Sequence, residues 1–188
     1  MVSGFLIADA GESARQRSRH DVLAGGRPRI GVAWRSGNAD YGWHKSLRLA
    51  DLAPVLRQRP VFWVDLQYGD TRTERTALAA EHGVDLWHDD AVDPLADLDA
   101  VAAQIAALDL VISVSNTAVH LAGALGVPTW LLLPPPGYGL LWYWSVDRPD
   151  SPFYPAVRGF RQQDAAAGWG AVVAGVAEAL DGWLAARA

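Results

Sequence analysis

Residues 109–128 read DLVISVSNTAVHLAGALGVP. Leu110 to Val114 form a near-continuous apolar run, the pattern of a strand covered on both faces of a parallel sheet. The polar triplet Ser115-Asn116-Thr117 follows at once, and then apolar positions recur at Ala118, Leu121, Ala122 and Leu125 with helical spacing. Gly126 and Pro128 end that helix, and Thr129–Leu133 supplies the next strand. This strand, polar junction, helix and strand unit is the repeating element of a wound parallel sheet.

Working outward, further strands are expected at Ile30–Trp34, Val61–Leu66 and Val84–Trp87. Leu49, Leu52, Ala53 and Leu56 predict a short helix with Pro54 in its first turns. Thr71–His82 predicts another, closed by Gly83, and Asp97–Leu108 a third, with Asp97 and Asp99 placed where negative charge suits a helix start. At the end, Val172, Val173, Val176, Leu180, Trp183 and Leu184 share one side of a helix over Trp169–Ala186. The fold class is therefore α/β, a Rossmann-like parallel sheet wound with helices, spanning residues 29–188. Residues 1–28 read as an N-terminal arm or connecting segment: Phe5–Ala8 is a short apolar piece, and Gly11–Arg29 is polar, with five arginines and the Gly25-Gly26 pair.

A chain of 188 residues with 51% hydrophobic and 20% charged side chains forms one domain with a substantial core. Sixteen basic against twenty-one acidic residues leave a net charge of -5, which argues against broad binding to nucleic acid or an anionic membrane. Any anion must be held locally. The absence of cysteine excludes disulfides, thiolate zinc sites and thiol catalysis. No apolar run approaches the roughly 18 residues of a membrane helix, so no membrane insertion is expected. The start has no basic lead-in of an export signal, and a cytoplasmic protein is expected. Nine Trp against one Met raise the question of whether some rings line a cleft.

In an open parallel sheet the ligand crevice lies beyond the carboxyl ends of the strands. After the first strand come Arg35, Ser36, Gly37 and Asn38, then Tyr41, Trp43, His44, Lys45 and Ser46. Small residues there let backbone amides approach an anion, and Lys45 can supply a point charge; a solvated turn would read the same way. Ser115, Asn116 and Thr117 are helix caps, and the same junction bares amides and a positive dipole end suited to phosphate. His120 lies four residues past Asn116 and three past Thr117, on a face distinct from the apolar one. Gln67, Tyr68 and Gly69, and His88, Asp89 and Asp90, could border a ribose and base or form plain turns. Neither Asp89 nor Asp90 has a second ligand at a metal-binding spacing, so no metal site is expected. Pro134 to Gly139, with Trp142, Tyr143 and Trp144 just beyond, reads as a site rim or a docking surface.

The stretch 109–128 strongly resembles the C-terminal, donor-binding half of GT-B glycosyltransferases. It is most similar to the glycosyltransferase-like domains that follow tetratricopeptide repeats in bacterial proteins, and more distantly to the ADP-heptose lipopolysaccharide heptosyltransferases. Arg29–Asn38, Lys45-Ser46-Leu47, Leu66-Gln67, Ser151–Pro155 and Phe160–Gln162 carry the likeness onward, from Arg29 to the end. The resemblance implies a nucleoside-diphosphate sugar held without metal or cofactor. Ser36, Gly37 and Lys45 would contact its phosphates, Gln67 would sit near the ribose, and Asn116, Thr117 and His120 would meet the diphosphate or sugar, with Asn38 and Ser115 in the same nucleotide-sugar-binding set. Lys45 and His120 are the candidate catalytic groups.

Two departures qualify the expectation. Ser115 stands where heptosyltransferases carry Asp, with Asn116 in the Thr place, which weighs against heptose transfer from ADP-heptose. The acceptor half of a GT-B enzyme is not represented, so transfer would need a separate acceptor domain or a homo-oligomer. The alternative is a non-catalytic interaction module of the same fold that uses the aromatic rim. A nicotinamide-binding Rossmann domain fits least, since the first strand lacks the G-x-G-x-x-G turn.

Overall fold

The computed structural model describes residues 4–58, 60–137 and 142–187. Six parallel strands, β1 (Arg29–Ala33), β2 (Phe62–Asp65), β3 (Leu86–Trp87), β4 (Leu110–Val114), β5 (Thr129–Leu133) and β6 (Val157–Arg161), lie in the order β3-β2-β1-β4-β5-β6. This is the doubly wound order in which the direction of winding reverses between β1 and β4. Six α-helices accompany them among the described residues: α1 (Ala10–Ala24), α2 (Ala53–Leu56), α3 (Arg72–His82), α4 (Leu98–Ala106), α5 (Thr117–Leu125) and α6 (Gly170–Ala185). The Leu49–Leu56 repeat is a 3-10 turn over Leu49–Leu52 that runs into the single turn of α2.

Alternation along the strands divides the core. Ile30, Val32, Leu110, Ile112 and Val114 pack with Leu56 of α2, Leu78 of α3 and Val176 and Leu180 of α6. Ala33, Val64 and Val111 face the other way, onto Ile105 of α4 and Ala118 and Ala122 of α5. Both faces being covered explains why β4 and β5 are buried at every position. β6 has no counterpart in the sequence reading. Its VRGFR segment is mostly exposed or half-buried and carries a glycine and two arginines, and β5 recruits it through a register running from Thr129↔Val157 to Leu133↔Arg161.

The polar segment before β1 contains a 15-residue helix, α1. Asp9 caps it by accepting from Glu12 N at 2.7 Å, and Gly25, at φ 57, ends it in the left-handed conformation. Its buried residues, Gln16, His20 and Ala24, recur every four positions, so the helix has a regular inner stripe that is polar for two of its three members. Docking is correspondingly polar. Arg19 grips the buried Asp89 with bonds of 2.8 and 2.7 Å, and Arg17 donates to Ala106 O of α4 at 2.9 Å.

His20 is fully buried against Phe62 and Trp87, and neither ring nitrogen has a hydrogen-bond partner among the described residues. Burial, aided by the nearby Arg29 charge, lowers its pKa from 6.5 to about 4; Arg19 acts in the same direction, while Asp89 and Asp21 oppose it. The unfolded chain therefore takes up this proton near pH 6.5, and the folded chain only near 4. Stability from this residue is present above 6.5 and is lost as pH falls toward 4, by up to roughly 3 kcal/mol. Urea unfolding at pH 7 and pH 4.5 checks this: His20→Leu should flatten the pH dependence, and parallel curves for the two proteins would refute it.

Candidate functional site

β1 is hydrogen-bonded to β2 on one side and β4 on the other, so the chains leaving β1 and β4 part at the reversal point. Between them lies a cleft of about 490 Å³. Its floor is lined by Ser36, Gly37, Asn38 and Lys45 from the loop after β1, and by Ser115, Asn116, Thr117 and His120 from the start of α5. One wall is apolar, built from Pro94, Leu95 and Leu98; Tyr68 and Tyr143 complete the lining. A groove of similar size, about 520 Å³, sits at the opposite, amino-terminal ends of the strands beside Arg27, Arg57 and His82, and none of the expected site residues lines it.

The loop after β1 is internally braced. Ser36 N donates to Ser46 Oγ at 2.9 Å, Ser46 Oγ donates to Gly42 O at 2.6 Å, and Gly42 N donates to Asn38 O at 2.8 Å. Asn38 Oδ1 closes the bend by accepting from Asp40 N and Tyr41 N. A 3-10 turn over Gly42–Lys45 then delivers Lys45 to the cleft. Lys45 is only 9% exposed, and no acidic side chain among the described residues balances it: burial lowers its pKa. The two arginines of β1 and its exit differ. Arg35 is paired with Glu74, and Arg29 is held by Asp109 at 2.8 Å.

At the other lip, Asn116 is the N-cap of α5. Its Oδ1 accepts from Ala118 N and from Ser113 Oγ, both at 3.0 Å, while its Nδ2 donates to Arg35 O at 3.3 Å. The side chain therefore ties the junction to the exit of β1. Ser115 is buried, its Oγ accepting from Trp144 Nε1 at 2.9 Å. Thr117 is exposed at the helix start. His120 stacks on Trp144, with centroids 5.2 Å apart, meets Tyr143 edge-on, and has Nδ1 3.0 Å from Tyr154 Oη. Burial, reinforced by the Lys45 charge, lowers its pKa, so the ring is neutral at neutral pH.

Gln67 is the expected residue that the structure does not bring into the cleft. It is 1% exposed, and its Oε1 accepts from Trp34 N at 3.0 Å and Arg35 N at 2.8 Å. It braces the exit of β1 from beneath the loop. Gln67 N in turn donates to Asp65 Oδ1 at 2.8 Å. Oδ2 of this buried carboxylate accepts from Thr71 Oγ1 at 2.6 Å and lies 3.0 Å from His88 Nδ1 and 3.4 Å from Arg75 Nε. Asp89, read as a turn or a ribose contact, is committed to Arg19.

The aromatic rim divides. Trp144 is buried beneath His120, whereas Trp142 is 77% exposed and meets Phe153 edge-on at 5.5 Å. Tyr138 and Gly139 lie outside the described residues. Pro94, Leu95 and Leu98 went unread in the sequence; the available signal is that Leu95 and Leu98 are large apolar residues set in an acidic stretch, and both are exposed. No helix among the described residues is long and apolar enough to cross a membrane.

No family model matches the chain. It is 35% identical over 159 residues to Protein FlbA of Caulobacter vibrioides, a match covering 84% of this chain and 26% of that protein, so it spans about a quarter of that relative's length. Among solved structures it is similar to a glycosyl transferase family 9 protein from Veillonella parvula, with a TM-score of 0.61 and 13% identity, over 90% of this chain and 46% of that one. It is also similar to the ADP-heptose lps heptosyltransferase II of E. coli, with a TM-score of 0.59 and 18% identity, over 97% and 54%. The chain thus has the α/β fold of GT-B-like glycosyltransferases and matches about half of each of these two proteins.

Proposed function

We propose that this domain binds a nucleoside-diphosphate sugar in the cleft and acts as the donor half of a metal-independent glycosyltransferase. The observation that carries the reading is Lys45: a nearly buried ammonium group without a carboxylate, facing a helix start across a cleft. An uncompensated buried cation is costly, and an anionic ligand removes that cost. The first-turn amides and the positive end of α5 add fixed dipoles on the same side, which suits a pyrophosphate and stabilises it as a leaving group. The wall of Pro94, Leu95 and Leu98 offers apolar area for a planar base, and Tyr68 and Tyr143 lie within reach of ribose or sugar.

A closer kinship, to the glycosyltransferase-like domains of bacterial tetratricopeptide-repeat proteins, is part of this proposal. The match to a quarter of a longer relative is compatible with such a domain embedded in a larger protein. The acceptor and its general base would come from a separate domain or from a second chain. The exposed Trp142 and Phe153 favour one further reading, in which the rim serves only protein contact.

A thermal-shift series with UDP, ADP and GDP at millimolar concentration tests the proposal. At least one should raise Tm, because a ligand at about 100 times its Kd stabilises by roughly 2.7 kcal/mol. No shift with any of the three would refute nucleotide binding and leave the interaction module as the better account.

A further inference from the structure

We propose that Tyr154 is a positioning residue that sets His120 as a hydrogen-bond donor toward the cleft, with the ring proton on Nε2; the inference rests on the anion-cleft reading above. Tyr154 Oη lies 3.0 Å from His120 Nδ1. A phenol is a far stronger acid than a neutral imidazole N–H, so the hydroxyl donates and Nδ1 accepts. With Nδ1 occupied as an acceptor, the neutral ring carries its proton on Nε2, the nitrogen left for a ligand.

The phenol is held in place on several sides. A Cβ at Gly123, three residues beyond His120 on α5, would stand 2.8 Å from Tyr154 Cγ and 2.9 Å from its Cβ and Cδ1. Glycine is what lets the ring lie against the helix. Phe5 stacks on Tyr154 at 5.9 Å and 23°, and the Phe5 and Leu6 amides both donate to Ala124 O, at 2.8 and 2.9 Å. Trp144 closes a further side at 5.8 Å. The segment before α1 thereby buttresses the cleft through Tyr154.

The consequence is chemical. Lys45, the His120 Nε2–H and the Thr117 backbone amide then present donors, a set matched to anionic oxygens. His120 in this tautomer cannot take a proton from an acceptor hydroxyl through Nε2, so the base for transfer is not His120. Burial and the Lys45 charge keep the ring uncharged, which makes the tautomer the property that matters.

Selective ¹⁵N-histidine NMR on the ligand-free chain tests this, whether or not nucleoside diphosphates bind. His120 should show a protonated Nε2 and an unprotonated, hydrogen-bonded Nδ1 between pH 7 and 8. Tyr154→Phe keeps the ring but removes the donor; it should shift the Nδ1 resonance, admit the other tautomer and raise the His120 pKa. Gly123→Ala, which keeps the hydroxyl but displaces it, should do the same. In wild type and Tyr154→Phe compared by UDP or ADP titration, the variant's Kd should rise roughly five-fold. A wild-type Nδ1–H tautomer, or a Tyr154→Phe chain with unchanged His120 tautomer and pKa, would overturn the assignment and reduce Tyr154 to packing.

Discussion

Replacing Lys45 with methionine is expected to leave the ligand-free protein as stable as before, or more stable by about 1 kcal/mol, while weakening nucleoside-diphosphate binding at least about ten-fold. The two effects have one cause. Lys45 is nearly buried with no acidic partner among the described residues, so the folded state carries an uncompensated charge that an anionic ligand would balance. Methionine keeps the stem's volume and removes the charge. A lysine serving the fold would behave in the opposite way, its loss lowering Tm without a ligand-specific effect. Urea unfolding paired with titration of UDP, ADP or GDP separates the cases. A variant that is destabilised by more than about 1 kcal/mol yet binds normally would remove Lys45 from the site. Such an inverse relation between stability and function is the usual signature of a binding residue.

Asp65→Ala is expected to have the largest effect on the fold, a loss of about 3–5 kcal/mol of unfolding free energy. Its carboxylate is buried and receives Thr71, His88, Arg75 and the amide of Gln67. Removing it leaves those groups facing an empty, dry space. The damage should also reach the cleft, because Gln67 holds the amides of Trp34 and Arg35 where the chain leaves β1. Asp65→Asn, which can still accept from the Gln67 amide, should lose less. A change under about 1 kcal/mol in Asp65→Ala, read from the urea midpoint, would show that this network is not what braces the loop.

The parts of the fold legible in the sequence are those whose neighbours are apolar on both sides. β4 and β5 match their expected bounds, and α3, α4, α5 and α6 are recovered to within two residues at each end because Gly83, Gly126 and the apolar stripes mark them. α1 was opaque because its inner stripe uses Gln16 and His20 and its attachment is through Arg17 and Arg19; the Asp9 cap and Gly25 stop were present as signals but had no apolar repeat between them. β6 was opaque because an edge strand owes its place to β5 rather than to its own composition. Within the cleft, proximity in sequence to the strand ends was enough to collect the residues from the loop after β1 and from the start of α5. It did not reveal that Gln67 turns inward to serve the Trp34 and Arg35 amides, since a residue directly after a strand can face either way. The apolar wall and the Tyr154 to His120 contact depend on tertiary approach between residues far apart in the chain, 34 positions in the case of Tyr154 and His120, which spacing does not encode.

If the cleft between the β1 loop and the start of α5 holds a diphosphate, titrating the ¹⁵N-labelled protein with UDP, ADP or GDP while following backbone amides will locate it there. Saturable shifts are expected, concentrated at Ser36–Asn38, Lys45 and Ser115–His120, with the Thr117 amide among the largest. Saturable shifts centred instead on the groove beside Arg27, Arg57 and His82, or none at either place, would contradict that placement.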